Sequence, residues 1–105
     1  MKITIRQSGG FAGTNIDLAA VNVETLPTLQ QGGLRKAVQD SGFFALPGRL
    51  GGGEVGADLA TYEITVEDDA RRHTVRFVDD GSPETSAVRR LRDAVLGAAV
   101  RGGAA

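Results

Sequence analysis

The chain has no cysteine, no tryptophan, a single histidine and three prolines in 105 residues, and each shortage removes a class of chemistry. Without cysteine there is no disulfide framework, no thiol nucleophile and no thiolate zinc site, which agrees with a reducing compartment. A zinc site needs several N, O or S donors at ligand spacing. The one histidine, His73, falls in an expected strand opposite Val66, where it reads as a partly buried structural residue. Ser8, Ser41, Ser82 and Ser86 stand in no nucleophile elbow, and no base is placed to activate them. Neither an enzyme nor a cofactor is expected. No apolar run approaches the roughly 20 residues of a membrane span, and the opening MKITIRQSGG has no long apolar segment of the signal-peptide kind. The expectation is a cytoplasmic protein, or one exported without a cleaved signal. Twelve basic residues oppose 13 acidic ones for a net charge of -1, so no overall field favours nucleic acid or an anionic membrane.

What the chain has in quantity is glycine, 15 residues gathered mainly in three clusters. The first, Gly9-Gly10-Phe11-Ala12-Gly13, and the third, GRLGGGEVG over residues 48–56, read as loops, whereas Gly32-Gly33 interrupts a helical pattern. Neither loop matches a strand-to-helix phosphate-binding fingerprint, and neither is followed by the lysine of a phosphate-binding loop. Glu67, Asp68 and Asp69 lack EF-hand spacing and read as a solvated turn.

The clearest pattern lies in residues 60–78, ATYEITVEDDARRHTVRFV. A tight connection over residues 68–71 pairs Glu67 with Arg72, Thr65 with Thr74 and Glu63 with Arg76 on one face, pairs favourable by roughly 0.2–1 kcal/mol each. The same register sets Tyr62 against Phe77, Ile64 against Val75 and Val66 against His73 on the other face, which must be covered. Ile3 and Ile5 alternate with polar residues in an N-terminal strand, and Ile16 and Leu18 repeat the alternation. A register of Ile5 with Ile16 and Ile3 with Leu18 closes a second hairpin. The apolar phase then moves to Val21 and Val23, which predicts a β-bulge at Ala19 or Ala20.

Pro27 suits the first position of a helix running to Asp40, with Leu26, Leu29, Leu34, Ala37 and Val38 on one side and a possible split at Gly32-Gly33. Ser41-Gly42 reads as its C-cap, followed by an apolar plug of Phe43, Phe44, Leu46 and Pro47. Ser82-Pro83-Glu84 reads as a second helix start, with Val88, Leu91, Val95 and Ala98 at helical spacing and a frayed end over residues 102–105. The expected fold is α+β: one domain over residues 1–101, a four-stranded antiparallel sheet from two hairpins in the order ββαββα, and both helices on one face. The expected core includes Ile16, Leu18, Phe44 and Tyr62.

Phe11 stands alone among small residues at a hairpin tip and admits two readings. It either folds back onto the sheet or protrudes as an apolar anchor whose glycine neighbours allow close backbone approach to a partner.

These pieces together resemble the emfourin family of protealysin inhibitors. The resemblance rests on MKITIRQSGGFAG, Leu26-Pro27, SGFFALP and YEITVEDDARRHTVRF, and covers most of residues 1–80. It implies a small bacterial α+β protein without a metal of its own, which inhibits thermolysin-like, protealysin-type zinc metalloproteases. The chain departs from the family pattern at Gly32-Gly33 and at Gly51 to Gly53. Such a protease favours a bulky apolar side chain just after the scissile bond, so the resemblance implies a protease-binding surface in the loops. Its candidates are Gly9, Gly10, Phe11, Ala12 and Gly13 in the first, and Leu50 and Val55 in the second. The competing expectation is a non-catalytic module that binds another protein or a small ligand through the same loops.

Overall fold

A computed structural model describes residues 1–9, 16–51 and 60–103. Its strands are β1 (Lys2–Gly9), β2 (Ile16–Asn22), β3 (Arg49–Leu50), β4 (Ala60–Asp68) and β5 (Arg71–Val78), and its helices are α1 (Thr28–Ser41) and α2 (Ser86–Gly103). The fold is α+β, as the sequence predicts, but the sheet is mixed and five-stranded, in the order β2-β1-β4-β5-β3. The fifth strand is the difference. Arg49 and Leu50 run parallel to β5, beside Arg76 and Phe77, and Arg76 N–H donates to Gly48 O at 2.8 Å. Two residues carry no alternation, so only a distant partner makes them a strand.

The β4–β5 hairpin has the expected register at every pair. Arg76 reaches Glu63 at 2.9 Å, Arg72 reaches Glu67 at 3.3 Å, and the Thr65 and Thr74 hydroxyls share a 2.8 Å hydrogen bond. Asp69 opens the two-residue turn at φ 52°, as the turns that match strand twist require of their first central residue. His73 is half-buried, donates from Nε2 to Leu46 O at 2.7 Å and packs edge-on against Phe43. It is a structural residue.

The first hairpin corrects the expected register. Ile3 faces Val21 and Ile5 faces Ala19, then Arg6 faces Asp17 and Gln7 faces Ile16. The skipped residue is Leu18, so the bulge exists but lies just before the expected Ala19 or Ala20. Its consequence is that Ile16, expected in the core, is 49% exposed. Leu18 and Tyr62 are half-buried, and the buried phenylalanine of the plug is Phe43 while Phe44 packs at the margin.

Both helices lie on one face. Leu34 and Val38 of α1 join Val88, Leu91, Val95 and Ala98 of α2 in a single cluster with Ile3, Ile5, Ile64, Val66, Val75 and Phe77. Pro27 occupies the N-cap rather than the first helical position, and Gly42 terminates α1 in the left-handed conformation at φ 63°, where glycine carries no Cβ penalty. Leu29 is 91% exposed, because the stripe on the core is set by Leu34, Val38 and Ser41. Ser82 makes no side-chain cap. A 3-10 turn, Pro83–Thr85, precedes α2 instead, and the buried Thr85 hydroxyl donates to Ser82 O at 3.0 Å.

Helix α1 runs unbroken through Gly32 and Gly33. A Cβ at either position would meet no atom within 4 Å, so neither glycine answers a packing need. Gly32→Ala and Gly33→Ala should each stabilise the protein by about 0.5–1 kcal/mol through helix propensity. The check is a thermal melt, in which each variant should rise by several degrees.

Candidate functional site

The sheet order decides where the glycine-rich loops emerge. β1 pairs antiparallel with β4, and its last residue, Gly9, is the direct partner of Ala60, the first residue of β4. Residues 10–15 follow Gly9 and residues 52–59 precede Ala60, so the two loops spring from neighbouring stems at one end of the sheet. Residues 68–71, the β4–β5 turn, mark the other end.

The stem of the second loop is closely held. Gly51 has φ 73°, and a Cβ there would lie 3.1 Å from Asp80 Oδ2, 3.1 Å from Thr85 Cγ2 and 3.3 Å from Val78 O, so both its conformation and its surroundings call for glycine. Its N–H donates to Glu84 Oε1 at 2.6 Å. On the other side, Asp79 N–H donates to Ala60 O at 3.1 Å, and Asp79 in turn accepts from Arg92 at 2.8 Å. Arg92 lies over the Tyr62 ring at 4.7 Å and reaches Asp93 at 3.0 Å. Burial acts to lower its pKa, but the hydrogen bonds it donates to Asp79 and then Asp93 outweigh that and hold the guanidinium above its ordinary value.

Of the residues that the sequence points to, Gly9 closes β1 as the last paired residue before the first loop. Gly10, Phe11, Ala12, Gly13 and Val55 lie outside the described residues. Leu50 is half-buried in β3 against Phe77 and packs on the core, so it anchors the stem of the second loop. Ile16, which the sequence assigns to the core, stands half-exposed where the first loop rejoins the sheet. The signal for it was present: Ile16 and Leu18 are out of phase with Val21 and Val23, and only one of the two sets can follow the phase of Ile3 and Ile5.

A cavity of about 490 Å³ lies at the opposite end, where Val38, Phe43 and Phe44 meet Arg35 and Arg71. Arg71 sits 4.0 Å over the Phe44 ring and donates to Asp68 at 3.2 Å, which closes the apolar plug over the core. Size alone does not make it the site, since its aromatic and charged groups already engage one another. Among the described residues no three His, Cys, Asp or Glu side chains cluster as metal ligands, and no helix is long and apolar enough to cross a membrane.

A family-level match to emfourin spans residues 5–95. The chain belongs to the emfourin family. No curated protein and no solved structure matches it. The emfourin match begins within β1 and ends within α2, so it takes in both glycine-rich loops, the paired stems, the buried face of α1 and the first half of α2. Emfourin is an inhibitor family, which implies a protease as partner in general terms.

Proposed function

We propose that this emfourin is a reversible inhibitor of a protealysin-type zinc metalloprotease, and that it enters the substrate cleft with the sheet end that carries residues 9–16 and 50–61. The observation that supports this is the pairing of Gly9 with Ala60. It sets the stems of two segments far apart in the chain side by side at one end of the sheet. Stems held by strand pairing limit the conformational freedom lost on binding, which favours affinity. Within the loops, the glycines allow close backbone approach and Phe11 supplies an apolar side chain suited to the pocket after the scissile bond.

Titrating the purified protein into an assay of a thermolysin-like, protealysin-type protease should give stoichiometric or submicromolar inhibition. Absence of inhibition of every cognate enzyme at micromolar inhibitor favours the alternative, a non-catalytic module that binds another protein or a small ligand through its glycine-rich loops. Phe11→Ala should weaken inhibition at least about tenfold, near 1.4 kcal/mol, with the melting temperature unchanged. A mutant that loses several degrees of stability and still inhibits fully places Phe11 in the core instead.

A further inference from the structure

One row of charged side chains crosses all five strands on the face turned away from the helices. Asp17, Arg6, Glu63, Arg76 and Arg49 are successive cross-strand partners. Arg6 reaches Asp17 at 3.0 Å and Arg76 reaches Glu63 at 2.9 Å. The alternation of sign fails at the last step, where Arg49 lies directly beside Arg76. Like charges in that relation are destabilising, and among the described residues Arg49 has no ion pair or side-chain hydrogen bond to offset it.

Between these two arginines the surface opens into a cavity of about 110 Å³, whose polar side chains are Arg49, Arg76, Ser8 and Thr61. All four can donate hydrogen bonds, and among the described residues no carboxylate lines the space. Glu63 engages Arg76 from the neighbouring strand, but a guanidinium has five N–H donors and retains others. A planar carboxylate, which accepts two parallel N–H bonds from a guanidinium, matches this donor set. The cavity also sits at the loop stems. Ser8 precedes Gly9, Thr61 follows Ala60, and Arg49 comes two residues before Gly51.

We infer that Arg49 and Arg76, with the Ser8 and Thr61 hydroxyls, receive the carboxylate of an Asp or Glu side chain on the rim of the protease that this emfourin inhibits. The inference rests on the inhibitor reading and extends the contact from the loops onto the outer sheet face. The Arg49 charge, without an ion pair among the described residues, is then matched on binding, which steers association and fixes orientation.

The test compares inhibition constants and melting temperatures of wild type, Arg49→Ala, Arg49→Glu and, as a control on the same face, Arg6→Ala. Arg49→Ala should weaken inhibition about threefold and Arg49→Glu tenfold or more, the loss growing as salt is lowered. Arg6→Ala should stay within twofold of wild type. Since Arg49→Glu places a carboxylate beside Arg76, its melting temperature should hold or rise, which separates lost affinity from lost folding. Arg49→Glu that inhibits as well as wild type, while wild type inhibits fully, overturns this inference and leaves the inhibitor reading standing. A wild type that inhibits no cognate protease overturns both.

Discussion

Phe77→Ala should cost about 3–5 kcal/mol, the range for removing a buried aromatic ring from a core that cannot fully collapse. Phe77 has no exposed surface and stacks on Tyr62 at 5.4 Å between ring centres. It is also the strand partner of Leu50. The substitution therefore opens a cavity and removes the surface on which β3 rests. Against a total stability of roughly 5–15 kcal/mol for a domain of this size, a melt by circular dichroism should show a fall of about 15 °C or more. Because β3 leads into residues 52–59, hydrogen exchange of Leu50 and Gly51 should quicken more than that of Val66 in the same variant. Equal quickening at both places would mean that β3 does not depend on this ring.

Arg92→Ala should be the next largest loss, about 2 kcal/mol. The side chain is 12% exposed and ties α2 to Asp79 and to the Tyr62 ring. Breaking a fully buried ion pair by removing one partner costs about 3–5 kcal/mol. Asp79 is 33% exposed and Asp93 66%, so water takes over part of the role, and the effect falls below that range. Arg92→Lys retains the charge but loses the planar contact with the ring and the two-pronged donation, and should fall between alanine and wild type. Arg72→Ala is the control. Its pair with Glu67 is 71% and 45% exposed, so urea unfolding should place it within about 0.5 kcal/mol of wild type. A loss as large as that of Arg92→Ala would contradict this ordering.

The hairpin over residues 60–78 was legible in the sequence because two independent patterns, apolar alternation and charge complementarity, agree on one register. The first hairpin offered only the apolar pattern, which the Leu18 bulge breaks, and the misread register put Ile16 in the core. Gly32 and Gly33 suggested a split helix because propensity is a local quantity. Packing of Leu34 and Val38 on the sheet offsets their cost of about 1 kcal/mol each. The third strand could not be read at all, since Arg49 and Leu50 are extended only beside Arg76 and Phe77. The candidate site shows the same division. Glycine content and the isolated Phe11 mark two loops, but that their stems adjoin follows from the pairing of β1 with β4, a contact between distant parts of the chain that no local pattern contains. The anomalous Arg49–Arg76 neighbour pair likewise exists only once β3 is in place.

Hydrogen–deuterium exchange of the protein, free and saturated with its cognate protease, tests the central claim most directly, because it reports which end of the sheet is covered without altering a residue. The account predicts new protection in residues 9–16 and 50–61, with residues 68–71 and the Phe44 surface exchanging as in the free protein. Protection confined to the 68–71 end, with residues 9–16 and 50–61 unchanged, would contradict it and move the inhibitory surface to the Phe44 and Arg71 cavity.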